Sequence, residues 1–263
     1  MKPIIGRIFG LDIHGYGTAI ALGFLTAVII GIILGRKKGF QFETIIDVAI
    51  FGCIGGLVGA KLGYAILNLR FYLAYPLAFL DFREGYSIVG GLLGGTLAGI
   101  LYLRKKKLPV WKMADVAAYC IPPAYAIGRV GCLLEGCCYG VESDVPWALA
   151  CGPGSALRHP TQIYSSIGAL IILLILFLQR KHKRFSGFFF AQFIFLYSIE
   201  RFIVELFREG DAILLGLSYA QIFTIFSGLA ALAVMIVGER RRLNRLKGET
   251  VSDGEPGDEE LHS

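Results

Sequence analysis

Apolar residues along this chain come in long runs that carry no charge. Residues 15–35 form one such run and 85–103 another. Residues 159–179, 185–199 and 212–238 form three more. About 20 apolar residues suffice to cross the hydrocarbon core of a bilayer as a helix. Two weaker runs fill the gaps. Residues 45–69 are apolar except for Asp47 and Lys61, and 114–134 contain Asp115, Pro122, Pro123 and Arg129. The pattern predicts an all-α, polytopic membrane protein with about seven transmembrane helices.

Composition agrees. Of 263 residues, 55% are hydrophobic and only 17% charged, whereas a soluble domain carries roughly 25% charged residues. The apolar stretch near the N-terminus is too long for a signal peptide and no A-x-A site follows, so it reads as the first span.

Basic residues cluster in alternate loops: Arg36-Lys37-Lys38, Arg104 to Lys107, the run 180–184, and 240–247. Basic loops stay cytoplasmic. This predicts the N-terminus outside and the C-terminus inside, although Lys2 and Arg7 lean the other way. Residues 1–247 read as a single membrane domain. Residues 248–263 are polar, acidic and Gly-rich, and read as a disordered cytoplasmic tail. The net charge of +6 is accounted for by the basic loops and their attraction to anionic lipid, with no nucleic acid partner expected.

Glycines recur at 52, 55, 56, 59 and 63, and again at 90, 91, 94, 95 and 99. Small residues four apart let helix backbones approach closely. Tight packing is the expected role.

With that topology, polar residues distant in sequence fall in one half of the membrane, the outer half. They are Tyr16, Arg129, His159 to Gln162, Arg201, Glu205, Arg208 and Gln221. Charges inside a bilayer face a bundle interior or a water-filled cavity. Arg201, Glu205 and Arg208 are spaced i, i+4, i+7 on one helix face, with Tyr197 a turn earlier. Glu205 can pair with either arginine, which would make a structural brace. The arginines together exceed what Glu205 neutralises, and the planar guanidinium fork suits phosphate oxygens. In a membrane, the phosphate at hand is a phospholipid headgroup.

Residues 128–140 read GRVGCLLEGCCYG, a Gly-rich segment able to cradle an anion with backbone N–H groups. This segment, with IHGYG (13–17), GGLLGG (90–95), HPTQIY (159–164), RFIVELFR (201–208) and GLSYAQI (216–222), resembles the prolipoprotein diacylglyceryl transferase family over most of residues 11–230. The resemblance implies a bacterial plasma-membrane enzyme with its site facing the outer side. The implied reaction moves a diacylglyceryl group from phosphatidylglycerol to the lipobox cysteine thiol of a prolipoprotein, at its signal-peptide region. Glycerol phosphate leaves, no cofactor is needed, and the partners are that lipid, that precursor and the bilayer. Arg129 and Arg201 would bind phosphate and stabilise the leaving group. Glu205 would orient them, Arg208 would support them, and Tyr16 matches a tyrosine at the cavity. Gly131, Gly140, Gln162 and Lys61 fall with the substrate-binding positions. His14 and His159 are the histidines that could serve as a base or as hydrogen-bonded helix-end residues.

Four positions depart from the family pattern. Val89 stands where a His or Tyr is usual before the GGL stretch, and valine cannot move a proton. Cys132 replaces an Asn, Cys137 replaces an acid, and Lys61 replaces an arginine. They mark a divergent branch, whose alternative role is a non-catalytic or differently specific phospholipid-binding relative. An anion transporter is disfavoured by the absence of an internal repeat.

Six cysteines are present, at 53, 120, 132, 137, 138 and 151. The spacing of Cys132, Cys137 and Cys138, with His159, is not a C-x-x-C pattern. Adjacent cysteines do not easily serve one tetrahedral ion, so no metal is expected. A disulfide involving Cys151 and buried free thiols both remain open.

Overall fold

The structure is a computed structural model. It describes residues 4–8, 11–80, 85–151, 156–182, 184–208 and 216–252. Eight α-helices are found among these residues: α1 (Gly15–Lys37), α2 (Phe42–Leu67), α3 (Leu69–Ala74), α4 (Ile88–Lys105), α5 (Val110–Glu135), α6 (Thr161–Gln179), α7 (Phe188–Glu205) and α8 (Tyr219–Ser252). A 3-10 turn spans Pro76–Leu80. Two short antiparallel ribbons complete the set: β1 (Ile4–Ile8) with β2 (Leu11–His14), and β3 (Leu149–Ala150) with β4 (Leu157–Arg158). The ribbons were not expected from the hydrophobic pattern.

Among the described residues, six helices are long and apolar enough to cross a membrane: α1, α2, α4, α5, α6 and α8. The chain is therefore a multi-spanning membrane protein. Helix α7 is 18 residues long and falls outside those six, with Glu200, Arg201 and Glu205 gathered in its last turns. The tail residues 253–263 lie outside the described residues.

The chain packs as two compact units, residues 25–120 and residues 1–24 with 121–263. In the unit of residues 25–120, α2 and α4 meet along their glycines. A Cβ placed on Gly59 would lie 2.5 Å from the Gly90 carbonyl oxygen and 2.7 Å from the Gly94 Cα. One placed on Gly63 would lie 2.8 Å from the Gly90 Cα. The backbones are thus at the separation that small residues alone permit. Away from that seam, α4 presents Ile88, Leu92 and Leu93 at 90%, 70% and 65% exposure. That apolar surface is the face a hydrocarbon solvent requires. A second, fully apolar cluster packs Phe40, Ile45, Leu103, Met113, Val116 and Cys120.

The other unit has a different interior. Its buried residues include Thr161, Gln162, Ser165, Gln192, Ser198, Glu200, Gln221 and Thr224. Buried polar groups must be paired when no water reaches them. Ser198 Oγ donates to the Ile194 carbonyl at 2.8 Å and meets Ser227 Oγ at 2.9 Å, tying α7 to α8. Ser166 Oγ donates to the Ala126 carbonyl at 3.0 Å, tying α6 to α5. Most of the candidate site residues belong to this polar unit.

Candidate functional site

Helix α5 carries Arg129, and its neighbours fix that side chain. Arg129 Nη2 donates to the Tyr125 hydroxyl at 2.7 Å, and the guanidinium lies 4.8 Å from the centre of the same ring. The two residues are one turn apart, so the helix itself sets this contact. Tyr125 packs edge-on against Tyr197 of α7 at 5.7 Å between ring centroids, and Tyr197 stacks on Phe193 at 5.9 Å. The arginine thus rests on an aromatic floor. Its Nε is a buried donor with no acceptor among the described residues. Leaving such a donor unmatched costs about 1–3 kcal/mol, more when it is charged.

Along α7, Phe193, Tyr197, Arg201 and Glu205 follow one another at i+4 and form one stripe. Arg201 Nη1 and Glu205 Oε2 are in charge contact at 2.5 Å. The other Glu205 oxygen accepts from Ser218 Oγ at 3.3 Å. Arg129 and Arg201 both lie within electrostatic reach of Tyr197 and of Glu200. Glu200 faces α6, where a Cβ on Gly168 would lie 2.5 Å from its Cγ. Arg208 and Glu135 both lie within electrostatic reach of the adjoining loop, at Cys138 and Cys137 respectively.

Gly131, one turn beyond Gly128 on α5, has a packing role. A Cβ there would lie 2.7 Å from Ala19 Cβ and 3.4 Å from Tyr16 Cα. Its absence lets the start of α1 lie against α5, which places Tyr16 beside the Arg129 helix. Tyr16 itself is 44% exposed. His14 is exposed at the end of β2, and its carbonyl accepts from Thr18 Oγ1 at 3.0 Å.

The segment after α5 is laced to the start of α6. Gly140 N–H donates to the His159 carbonyl at 2.9 Å, and His159 N–H returns a bond to the Val141 carbonyl at 3.1 Å. Val141 N–H donates to the Phe207 carbonyl at 2.9 Å. Gly140 has no room for a side chain, since a Cβ would meet the Phe207 carbonyl, His159 and Thr161. Gln162 is 1% exposed, and its Nε2 donates to the Cys137 carbonyl at 2.6 Å. Thr161 Oγ1 donates to the Cys138 carbonyl at 2.7 Å. Gly140 and Gln162 therefore hold the loop. His159 Nδ1 meets the Tyr164 hydroxyl at 3.0 Å. Lys61, placed by sequence among the substrate-binding residues, belongs to the unit of residues 25–120. There it is buried, with Nζ 5.5 Å from the Tyr86 ring centre and 5.9 Å from that of Tyr72.

The same loop brings three thiols together. All six cysteines are free thiols, and the Sγ atoms of Cys132, Cys137 and Cys138 lie within 4.8 Å of one another. Adjacency does not separate Cys137 from Cys138, because the backbone turns twice. Gly136 ends α5 at φ 76°, and Cys138 takes φ 63°. The Cys137 N–H donates to the Cys132 carbonyl at 3.1 Å, which folds the chain back over the helix end. The Cys138 thiol is pushed down to about 5 by hydrogen bonding from the Cys132 thiol, against desolvation, with help from Cys137, Arg208 and Arg129.

Comparison with known proteins decides the family. The family model described as prolipoprotein diacylglyceryl transferase matches residues 3–237. The chain belongs to the prolipoprotein diacylglyceryl transferase family. Within this family it is similar to the phosphatidylglycerol–prolipoprotein diacylglyceryl transferase of Clostridium tetani, at 37% identity over 87% of this chain and 96% of that protein. It is 32% identical to the Clostridioides difficile protein of the same name, over 95% and 100% of the two chains. It is 34% identical to the one from Geobacter sulfurreducens, over 92% and 97%. Identity at this moderate level fits a divergent member of the transferase family, whose reaction is of the diacylglyceryl-transfer type.

Sequence reasoning passed over Tyr125 and Glu200. Tyr125 could have been found as the residue one turn before Arg129. Glu200 adjoins Arg201 in sequence but points to α6, a placement that only packing reveals.

Proposed function

We propose that the protein transfers the diacylglyceryl group of phosphatidylglycerol to the lipobox cysteine thiol of a prolipoprotein. It does so at the outer side of the bacterial plasma membrane, in a frame of seven spanning helices with the C-terminus inside. The observation that carries this reading is Arg129. It is a guanidinium fixed on a tyrosine floor with a buried donor unmatched by protein, next to an arginine–glutamate pair on α7. A phosphate oxygen supplies the acceptor that the donor lacks.

The chemistry follows from that anchor. The acceptor sulfur, as thiolate, attacks the glyceryl carbon that bears the phosphate ester. A C–S bond forms and the C–O bond breaks, with its electron pair going to phosphate oxygen. Glycerol phosphate departs carrying that charge, and the thiol proton goes to solvent or to the leaving phosphate. Arg129 and Arg201 meet the charge as it develops. Glu205 holds Arg201 in position and Arg208 adds to the field. Tyr16 lines the approach beside Gly131.

The test uses purified protein in nanodiscs with phosphatidylglycerol and a lipobox peptide, read by mass spectrometry for the thioether product. Product is expected with a Cys peptide and not with its Ser counterpart. Absence of product where a relative works under the same conditions would sink the transferase reading. One observation favours a second reading. Val89 stands on α4 at 67% exposure and offers no proton-transferring group. A lipid-binding relative without transfer activity would bind phosphatidylglycerol and give no product.

A further inference from the structure

We propose that Cys132, Cys137 and Cys138 form a three-thiolate site for a thiophilic divalent cation of the Zn²⁺ class, with the fourth coordination position left to the acceptor thiol. The role of the fourth position rests on the transferase reading; the cation site does not.

Three observations carry it. The first is the distance. Sulfurs bound to one Zn²⁺ at about 2.3 Å in a tetrahedron sit close to 4 Å apart. The three Sγ atoms already lie within 4.8 Å of one another. The second is the framework. Nothing in an apolar helix end demands that a non-glycine residue take φ 63°, as Cys138 does. The surroundings enforce it: Gln162 and Thr161, both buried, grip the Cys137 and Cys138 carbonyls at 2.6 and 2.7 Å. The Cys137 N–H is bonded to Cys132 itself. Strained backbone held by its environment marks functional positions. Side chains that fix the orientation of ligand-bearing residues are what a metal site needs.

The third is charge. Three thiolates around a divalent cation carry one net negative charge. Arg129 and Arg208 lie within electrostatic reach of this cluster and oppose that charge. Cys132 is three residues beyond Arg129 on α5, so its thiol is one turn from the phosphate anchor, and the Cys137 and Cys138 thiols of the following loop gather on it. Soft thiolate donors select zinc and similar metals. Three protein ligands with a fourth position free for substrate is the catalytic arrangement of zinc, and a thiol that coordinates there loses its proton.

The experiment uses the full-length protein in nanodiscs, reduced and handled without oxygen. Zn²⁺ is counted by elemental analysis, and Co²⁺ is the spectroscopic probe. One ion per chain and a thiolate-to-Co²⁺ charge-transfer band are expected. Cys132→Ser, Cys137→Ser and Cys138→Ser should each weaken binding by at least roughly 10-fold, while Cys53→Ser leaves it unchanged. Differential alkylation of the unmodified protein guards against misfolded variants: Zn²⁺ should protect Cys132, Cys137 and Cys138 and leave a cysteine peptide unrelated to the lipobox, added to the same sample, reactive. Neither band nor protection in the reduced protein overturns the site. So does a disulfide within the trio that persists in the isolated, active protein. A lipobox Cys peptide, and not its Ser form, should shift the Co²⁺ spectrum toward four thiolates. An unchanged spectrum, or full product formation by chelated protein, overturns the fourth-position role. Failure of the transferase reading looks different: the band and the protection persist, and no thioether product forms.

Discussion

Replacing Arg129 by Lys keeps one positive charge and removes the fork. In the structure this side chain makes two contacts that a lysine cannot reproduce together. Its Nη2 bonds the Tyr125 hydroxyl at 2.7 Å while its plane lies 4.8 Å from the ring centre, and Nε remains for an outside acceptor. Loss of one donor aimed at a developing negative charge costs about 2.7–4 kcal/mol, or roughly 100- to 1,000-fold in turnover. Loss of the ring contact adds about 0.5–1 kcal/mol to positioning. Arg129→Lys should therefore fall by roughly 100-fold or more in kcat. Tyr125→Phe keeps the ring, removes one hydrogen bond to a charged group worth about 1.5–3 kcal/mol, and should fall less. The assay is initial-rate formation of thioether-linked peptide in nanodiscs of varied phosphatidylglycerol content, so that kcat and KM separate. Thermal melting of each variant checks that folding is intact. Arg129→Lys with turnover within about threefold of the parent, in a protein that melts normally, would refute the phosphate-anchor role, since the fork would then contribute almost nothing. So would a loss confined to KM, because that pattern marks uniform binding rather than stabilisation of the leaving group.

Further outcomes follow from other contacts. A double-mutant cycle on Arg201→Ala and Glu205→Ala should give a coupling of about 0.5–3 kcal/mol in thermal or denaturant unfolding, and additivity would show the 2.5 Å pair to be incidental. Gly59→Ala pushes a methyl group against the Gly90 carbonyl oxygen and should destabilise by about 1–3 kcal/mol. Gly52→Ala, where the nearest atom is 3.9 Å away, should melt like the parent. Gln162→Ala releases the Cys137 carbonyl and should raise the alkylation rate of Cys137 and Cys138, measured by mass spectrometry, with that of Cys53 unchanged as control.

How much of this was legible in the sequence depends on how local the cause is. Long apolar runs place α1, α2, α4, α5 and α6 to within a few residues, because hydrocarbon demands length and apolarity and both are written along the chain; the run 185–199 falls on α7, outside the six, and α8 runs on well past the last run into basic residues. The glycine rows announce the α2–α4 seam for the same reason. The small ribbons at Ile4–Ile8 and Leu149–Ala150 escape such a reading, since they are short and sit outside the runs. In the site, the stripe of Arg201 and Glu205 follows from helical spacing alone. The roles of Gln162, Gly131 and Gly140 do not. The family resemblance implies a place for them with the substrate; the structure adds that Gln162 holds the Cys137 carbonyl and that Gly131 and Gly140 let backbones approach. Those functions depend on partners far along the chain, such as Ala19 for Gly131 and Phe207 for Gly140. The thiol cluster was least legible. Adjacent cysteines argue against a shared centre until the positive φ at Cys138 is known.

If the proposed transfer holds, three of the four departures from the family pattern, those at 89, 132 and 137, concern the acceptor thiol's proton. At position 89 the chain has a valine, which can neither take nor relay a proton. At 132 and 137 it has cysteines in place of an amide and an acid, and with Cys138 these thiols converge. A thiol bound to a divalent cation is deprotonated by the cation's charge and needs no protein base to make it nucleophilic. If a cation held by the trio does this work, a valine at 89 is no defect, and loss of the base and gain of the thiols are a single change of strategy. The two alternatives separate on one substitution. Val89→His should leave product formation in the cation-loaded protein unchanged, because the proton is already lost on coordination. A cation-loaded protein with its thiols intact whose turnover rises on Val89→His would contradict that exchange of one device for another.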